Sequence, residues 1–210
     1  MELCHGSDKI IVTPKYNYGN HSNDYGCGFY MSNQKDVAKL WASKNIDGGY
    51  VMSYEVNIKN LNVLFLDDQN EDNILKWISI LVKHHFSRYE IERYKNTVEA
   101  LNNKYPLDIE NYDMIVGYRA DDSYFQYSRD FIANDLSLEM LSKAMHLGRL
   151  GKQYVLISEK SFKNIVLKNY EKISYSNEYD YFRKEANRQY HIIKNEDSIN
   201  NTYIRDILRK

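Results

Sequence analysis

The sequence predicts an α+β fold. Strand-like and helix-like segments follow one another in irregular order, the clearest strand segment alternates its faces, and the strongest helical segment is amphipathic. A regular strand–helix succession would instead point to a doubly wound parallel sheet.

The elements follow in order. "MELCHGS" is a short first strand ending in a Gly-Ser turn. Residues 8–24 are polar, with Pro14, Gly19 and several Asn, and read as loop. "GFYMS" is extended, and Val37, Leu40 and Trp41 then recur at helical spacing behind an N-cap at Ser32 or Asn33, with Gly48 and Gly49 ending that unit. "YVMSYEVNI" alternates as a strand, and "LNVLFLD" is a second one close behind. In "EDNILKWISILVKHHF", Ile74, Trp77, Ile78, Leu81 and Val82 form one apolar stripe. A weaker helix is expected from Ile91 to Asn102. "YDMIVGYRA" is a strand, and two helices follow, the second capped by Ser137 and closed by Gly148. "QYVLIS" and "FKNIVL" are strands. From Tyr170 the chain turns polar and charged. The expected organisation is a domain over 1–169 and a polar, helical C-terminal appendage over 170–210 that packs on the domain or on a partner.

Apolar residues make up 43% of the 210, enough for a substantial core. Lys and Arg number 28 against 29 Asp and Glu, a net charge of -1, without the basic excess of a protein that lives on phosphate backbones. Two cysteines, Cys4 and Cys27, are too few for a disulfide framework and fit a reducing compartment. Cys4 and His5 point to opposite faces of a strand, which argues against a zinc site shared with His21 and Cys27. The start "MELCHGSDK" lacks the apolar core of a secretion signal, and "ILKWISILV" is short and amphipathic, so a soluble cytoplasmic protein is expected. No P-loop is present, and "GCG" lacks the third glycine of a dinucleotide fingerprint.

Three segments taken together carry more. They are "HGS" at His5–Ser7, "YGCGFYMS" with Trp41 eleven positions after Tyr30, and "KQYVLIS" with Gln153 at its head. This set resembles the ADP-ribosyltransferase superfamily, in its poly(ADP-ribose) polymerase and diphtheria-toxin branch. There a His-Gly-Ser strand end, a Phe-Gly-x-Gly-Ile-Tyr turn with an aromatic one helix later, and a Glu at the start of a late strand recur in this order. "GGYVMSYEVNIKNLNVLFL" is similar to that branch's central strand pair. Over about residues 3–167 the layout resembles an uncharacterised bacterial branch whose members often look like toxins of toxin–antitoxin pairs.

The resemblance implies a split antiparallel β-sheet with peripheral helices. It implies transfer of ADP-ribose from NAD, as substrate, to a protein or nucleic-acid acceptor with release of nicotinamide. It also implies a small antitoxin partner, and no membrane. The implied core triad is His5, Tyr30 and Gln153, and the implied NAD contacts are His5, Gly6, Ser7, Gly28, Tyr30, Trp41 and Arg119.

The residue chemistry suits this. Tyr30 and Trp41 can sandwich a flat nicotinamide ring, where an ordinary core pair is the plain alternative. Gly6 lets the backbone approach the amide, and Gly26 and Gly28 let their turn pass close to the ligand. His5 can donate to a ribose hydroxyl, with Ser7 adding a bond.

Gln153 stands where the family has Glu, keeping a hydrogen bond but losing the charge. Three readings follow: transfer without that charge and without chain elongation; a substitute carboxylate at Asp121 or Asp122; or an NAD or ADP-ribose binding module that catalyses nothing. Arg119 either meets a phosphate or pairs with Asp121 or Asp122. Arg149 and Lys152 read as solvated surface charge.

Overall fold

Two β-sheets meet along one short seam in the computed structural model, which describes residues 1–68, 70–120, 122–147 and 151–209, with the backbone alone at 122–125. The strands are β1 (Glu2–Ser7), β2 (Phe29–Met31), β3 (Gly49–Val56), β4 (Val63–Leu66), β5 (Met114–Tyr118), β6 (Lys152–Leu156) and β7 (Ile165–Ile173). The helices are α1 (Lys35–Ala42), α2 (Glu71–His85), α3 (Arg88–Arg93), α4 (Lys95–Lys104), α5 (Asp122–Ile132), α6 (Leu138–Ala144), the one-turn α7 (Glu159–Phe162), α8 (Glu178–Asn195) and α9 (Ile204–Arg209). The fold is α+β.

The first sheet has the order β1-β3-β7 and the second β2-β6-β5-β4. All pairings are antiparallel except β4 with β5, which run parallel. The seam is a bridge between Cys4 and Ser32: the Cys4 N–H donates to the Ser32 carbonyl at 2.7 Å, and the Ser32 N–H returns a bond at 2.8 Å.

Three apolar layers hold the sheets. Leu3, Phe29, Met52, Tyr54, Met114 and Leu156 pack between the sheets. Cys4, Ala38, Ala42 and Val51 join α1 to the outer face of the first sheet. β3 is therefore buried on both faces, and only Glu55 along it is exposed. The largest layer lies over the other face of the second sheet, where Trp77, Tyr127, Phe131, Leu141 and Tyr190 gather. α2 contributes its predicted stripe to this layer, started by Asn70, whose side chain accepts from the Asn73 N–H at 2.9 Å.

Four expectations change. α1 is capped by the backbone of Gln34 without a side-chain cap, while the Ser32 hydroxyl accepts from the Gln34 N–H. The weaker helix splits into α3, opened by a Ser87–Glu90 capping box, and α4. β3 and β4 do not pair but fall in different sheets, so the central strand pair is not formed by these two segments. The boundary at 169/170 falls inside β7, and Tyr190, Ile204 and Ile207 of the expected appendage are buried in the main core. The amphipathic spacing of Tyr179, Ala186 and Tyr190 drives that docking. Gly148, Arg149, Asp121 and the Asp122 side chain lie outside the described residues. Among the described residues, no helix is long and apolar enough to cross a membrane.

Candidate functional site

A cavity of about 610 Å³ opens at the seam between the sheets, within the size range of small-molecule sites. Its wall includes His5, Gly6, Gly28, Tyr30, Trp41, Arg119 and Gln153. These come from β1, the turn before β2, β2, α1, the end of β5, and β6. The loop 8–24 contributes Lys15, Tyr18 and Asp24, and α8 contributes Tyr179.

Strand alternation sets the first of these residues. Cys4 faces α1, so its neighbour His5 faces the other way, with its ring centroid 4.5 Å from that of Phe29. His5 Nδ1 lies 2.6 Å from the Tyr30 carbonyl oxygen. A carbonyl only accepts, so Nδ1 carries the proton. Burial lowers the His5 pKa to about 4, with the Arg119 charge acting in the same direction and the bond to Tyr30 opposing it. The ring is therefore neutral at pH 7, and Nε2 is an acceptor. Nε2 is therefore suited to accept a hydrogen bond and not to give the donation expected of His5.

The Tyr30 hydroxyl donates to the Gly26 carbonyl at 2.7 Å and accepts from the Tyr25 N–H at 3.0 Å. Both bonds lie within one turn, so the ring is fixed as a wall. Burial and the nearby Asp24 charge push its phenol pKa up. Trp41 stands elsewhere on the same wall. Its ring is 5.3 Å from Tyr179, and the Lys44 ammonium sits 4.1 Å from both ring centroids. The Arg119 guanidinium carbon lies 5.1 Å from the Trp41 ring.

Two glycines have a different reason from the expected one. A Cβ on Gly6 would come within 2.0 Å of the Ala38 carbonyl oxygen, and one on Gly28 within 2.5 Å of the Val155 side chain. Their missing side chains make room for α1 and β6. Ser7 is absent from the cavity wall; its hydroxyl donates to Asp8 at 3.0 Å. Lys152 pairs with Asp67 at 2.6 Å.

The main residue missed in the sequence is Asp24. It is buried, at 7% exposure, and is the one acidic side chain among the described residues of the wall. Its Oδ2 accepts from the Gln153 amide at 2.6 Å and from the Ala120 N–H at 2.8 Å, and its Oδ1 accepts from His85 Nε2 at 3.1 Å. Gln153 is itself buried and also donates to the Tyr118 carbonyl at 3.3 Å. Its amide nitrogen is therefore committed to protein. The signal lay in "DYGCGFY", where the acid directly precedes the turn. Lys15, Lys44 and Arg119 also lie on the wall, three cations against this one acid among its described residues.

No curated protein and no solved structure matches the chain. A family model described as "Protein of unknown function (DUF3990)" matches residues 1–167, which takes in every described strand through β6 and all described residues of the cavity wall except Tyr179. The chain belongs to the DUF3990 family.

Proposed function

We propose that the chain is a mono-ADP-ribosyltransferase that takes ADP-ribose from NAD, releases nicotinamide and modifies a macromolecular acceptor. What carries this reading is the convergence on one cavity of His5, Tyr30, Trp41 and the Asp24–Gln153 pair. The two sheets joined at β1 and β2 support the corresponding split-sheet fold.

In this reading Tyr30 and Trp41 flank the nicotinamide, and His5 Nε2 accepts from a ribose hydroxyl. Lys15, Lys44 and Arg119 balance the diphosphate. Breaking the bond between nicotinamide and ribose develops positive charge on the sugar, as in other glycosidic cleavages. The site then needs a negative group there and exclusion of water. Chain elongation to a polymer is not expected. The acceptor is a protein or nucleic acid, and the near-neutral chain favours a small footprint on either. A toxin role, held in check by a small partner protein, completes the proposal and rests on the resemblance of the bacterial branch.

Incubation with labelled NAD and a cell lysate is expected to place label covalently on protein or nucleic acid, and His5→Ala to abolish it. The second reading, a binding module for NAD or ADP-ribose, is favoured by the glutamine at position 153. Saturable NAD binding without label transfer would establish it in place of the first.

A further inference from the structure

We propose that Asp24, and not the residue at position 153, is the catalytic carboxylate of this site. The inference rests on the transferase reading. The resemblance puts a glutamate where Gln153 stands, and the charge lost there stands one hydrogen bond away. Asp24 reaches the cavity from the end of the 8–24 loop, and Gln153 from the start of β6. The two are opposite ends of one amide–carboxylate contact.

Three observations bear on this. First, a carboxylate buried among apolar residues is costly unless its acceptor sites are filled. Asp24 fills three, from Ala120, Gln153 and His85, out of roughly four lone-pair sites. Among the described residues these are its donors, and the remaining acceptor site is open to a ribose hydroxyl. Second, these donors come from three separate elements, so the group is held in one place rather than swinging with its loop. Third, Asp24 lines the same cavity as His5, Tyr30 and Trp41. A purely structural clasp would not need a place in the cavity wall.

The bond between ribose C1′ and the nicotinamide nitrogen breaks, and its electron pair leaves with neutral nicotinamide. Asp24 stands against the cationic sugar. The acceptor's nucleophilic atom, or a water oxygen, supplies an electron pair to C1′ and loses its proton to solvent, while Asp24 acts through its charge and its bond to the ribose hydroxyl. Gln153 is then a positioning residue that fixes the carboxylate.

The test uses the full chain with NAD, reading nicotinamide release for kcat and KM and binding by calorimetry. Asp24→Asn is expected to lower kcat at least about a hundredfold, the scale of a lost electrostatic partner, with NAD affinity within about threefold. The double variant Asp24→Asn with Gln153→Glu restores a carboxylate–amide pair with its ends exchanged, and is expected to regain at least about tenfold over Asp24→Asn. Near-wild-type release by Asp24→Asn overturns the assignment, as does a double variant that binds NAD yet stays as slow as the single. If the wild-type chain releases no nicotinamide, the transferase reading falls first, and this inference with it.

Discussion

The Gln153 amide nitrogen lies 2.6 Å from Asp24 Oδ2, so a strand and a loop 129 residues apart in the chain are tied by one buried hydrogen bond. Removing the donor leaves the carboxylate short of a partner and the Tyr118 carbonyl without this bond. Gln153→Ala is therefore expected to destabilise the fold by about 1–3 kcal/mol, read as a lower urea midpoint at unchanged slope. An unchanged midpoint would show that the bond is not maintained in solution.

His5 should make stability depend on pH. Its folded pKa of about 4 lies below the ordinary 6.5, because burial disfavours the charged ring. The unfolded chain then binds the proton more readily. The stabilising contribution is complete above about pH 6.5 and is lost as pH falls through about 4, on the order of 3 kcal/mol in all. His5→Gln, which cannot take the proton, is expected to flatten the slope of unfolding free energy against pH across this window. Equal slopes for the two proteins would contradict it.

Gly6 is a packing residue by its geometry. A methyl group there meets the Ala38 carbonyl of α1 at 2.0 Å, and backbone yields less readily than a side chain. Gly6→Ala should lower stability by about 1–3 kcal/mol as α1 is pushed off the sheet. Thermal unfolding of the two proteins side by side is the check, and an unchanged Tm would mean that α1 shifts freely.

Trp41 tests the wall directly. Its ring packs against Tyr179 and under Lys44, and a stacked ring is worth about 0.5–1.5 kcal/mol beyond burial. Trp41→Ala should weaken NAD about three- to tenfold by calorimetry, and Trp41→Phe should keep most of the affinity. Undiminished binding by Trp41→Ala would remove this residue from the site.

Expression in a bacterium is expected to arrest growth, and His5→Ala to relieve the arrest. Normal growth with the active chain would end the toxin proposal while leaving the chemistry to be judged on nicotinamide release.

Periodicity made the class and most elements legible, because α2 and β3 bury continuous stripes whose spacing is visible in the residues themselves. β7 was cut short because its second half, "NYEKI", is an edge strand with mostly exposed side chains and reads as tail. The helices after it looked like an appendage because each offers only a few buried residues. Within the site, His5, Tyr30, Trp41, Arg119 and Gln153 were found through local motifs and do line one cavity. Asp24 escaped because its partners, Ala120, His85 and Gln153, are brought together only by the fold. The packing reason for the glycines was not legible because what crowds them is protein from distant segments, α1 for Gly6 and β6 for Gly28.

α8 begins beyond the last residue of the family match, yet it sends Tyr179 to the cavity and Tyr190 to the core. Attachment of this helix and occupancy of the cavity thus belong to one thermodynamic cycle. Whatever free energy the docked helix adds to ligand binding, a bound ligand returns in equal measure to the docking of the helix. A partner that drew α8 away would loosen the ligand's hold without touching β1, β2 or β6.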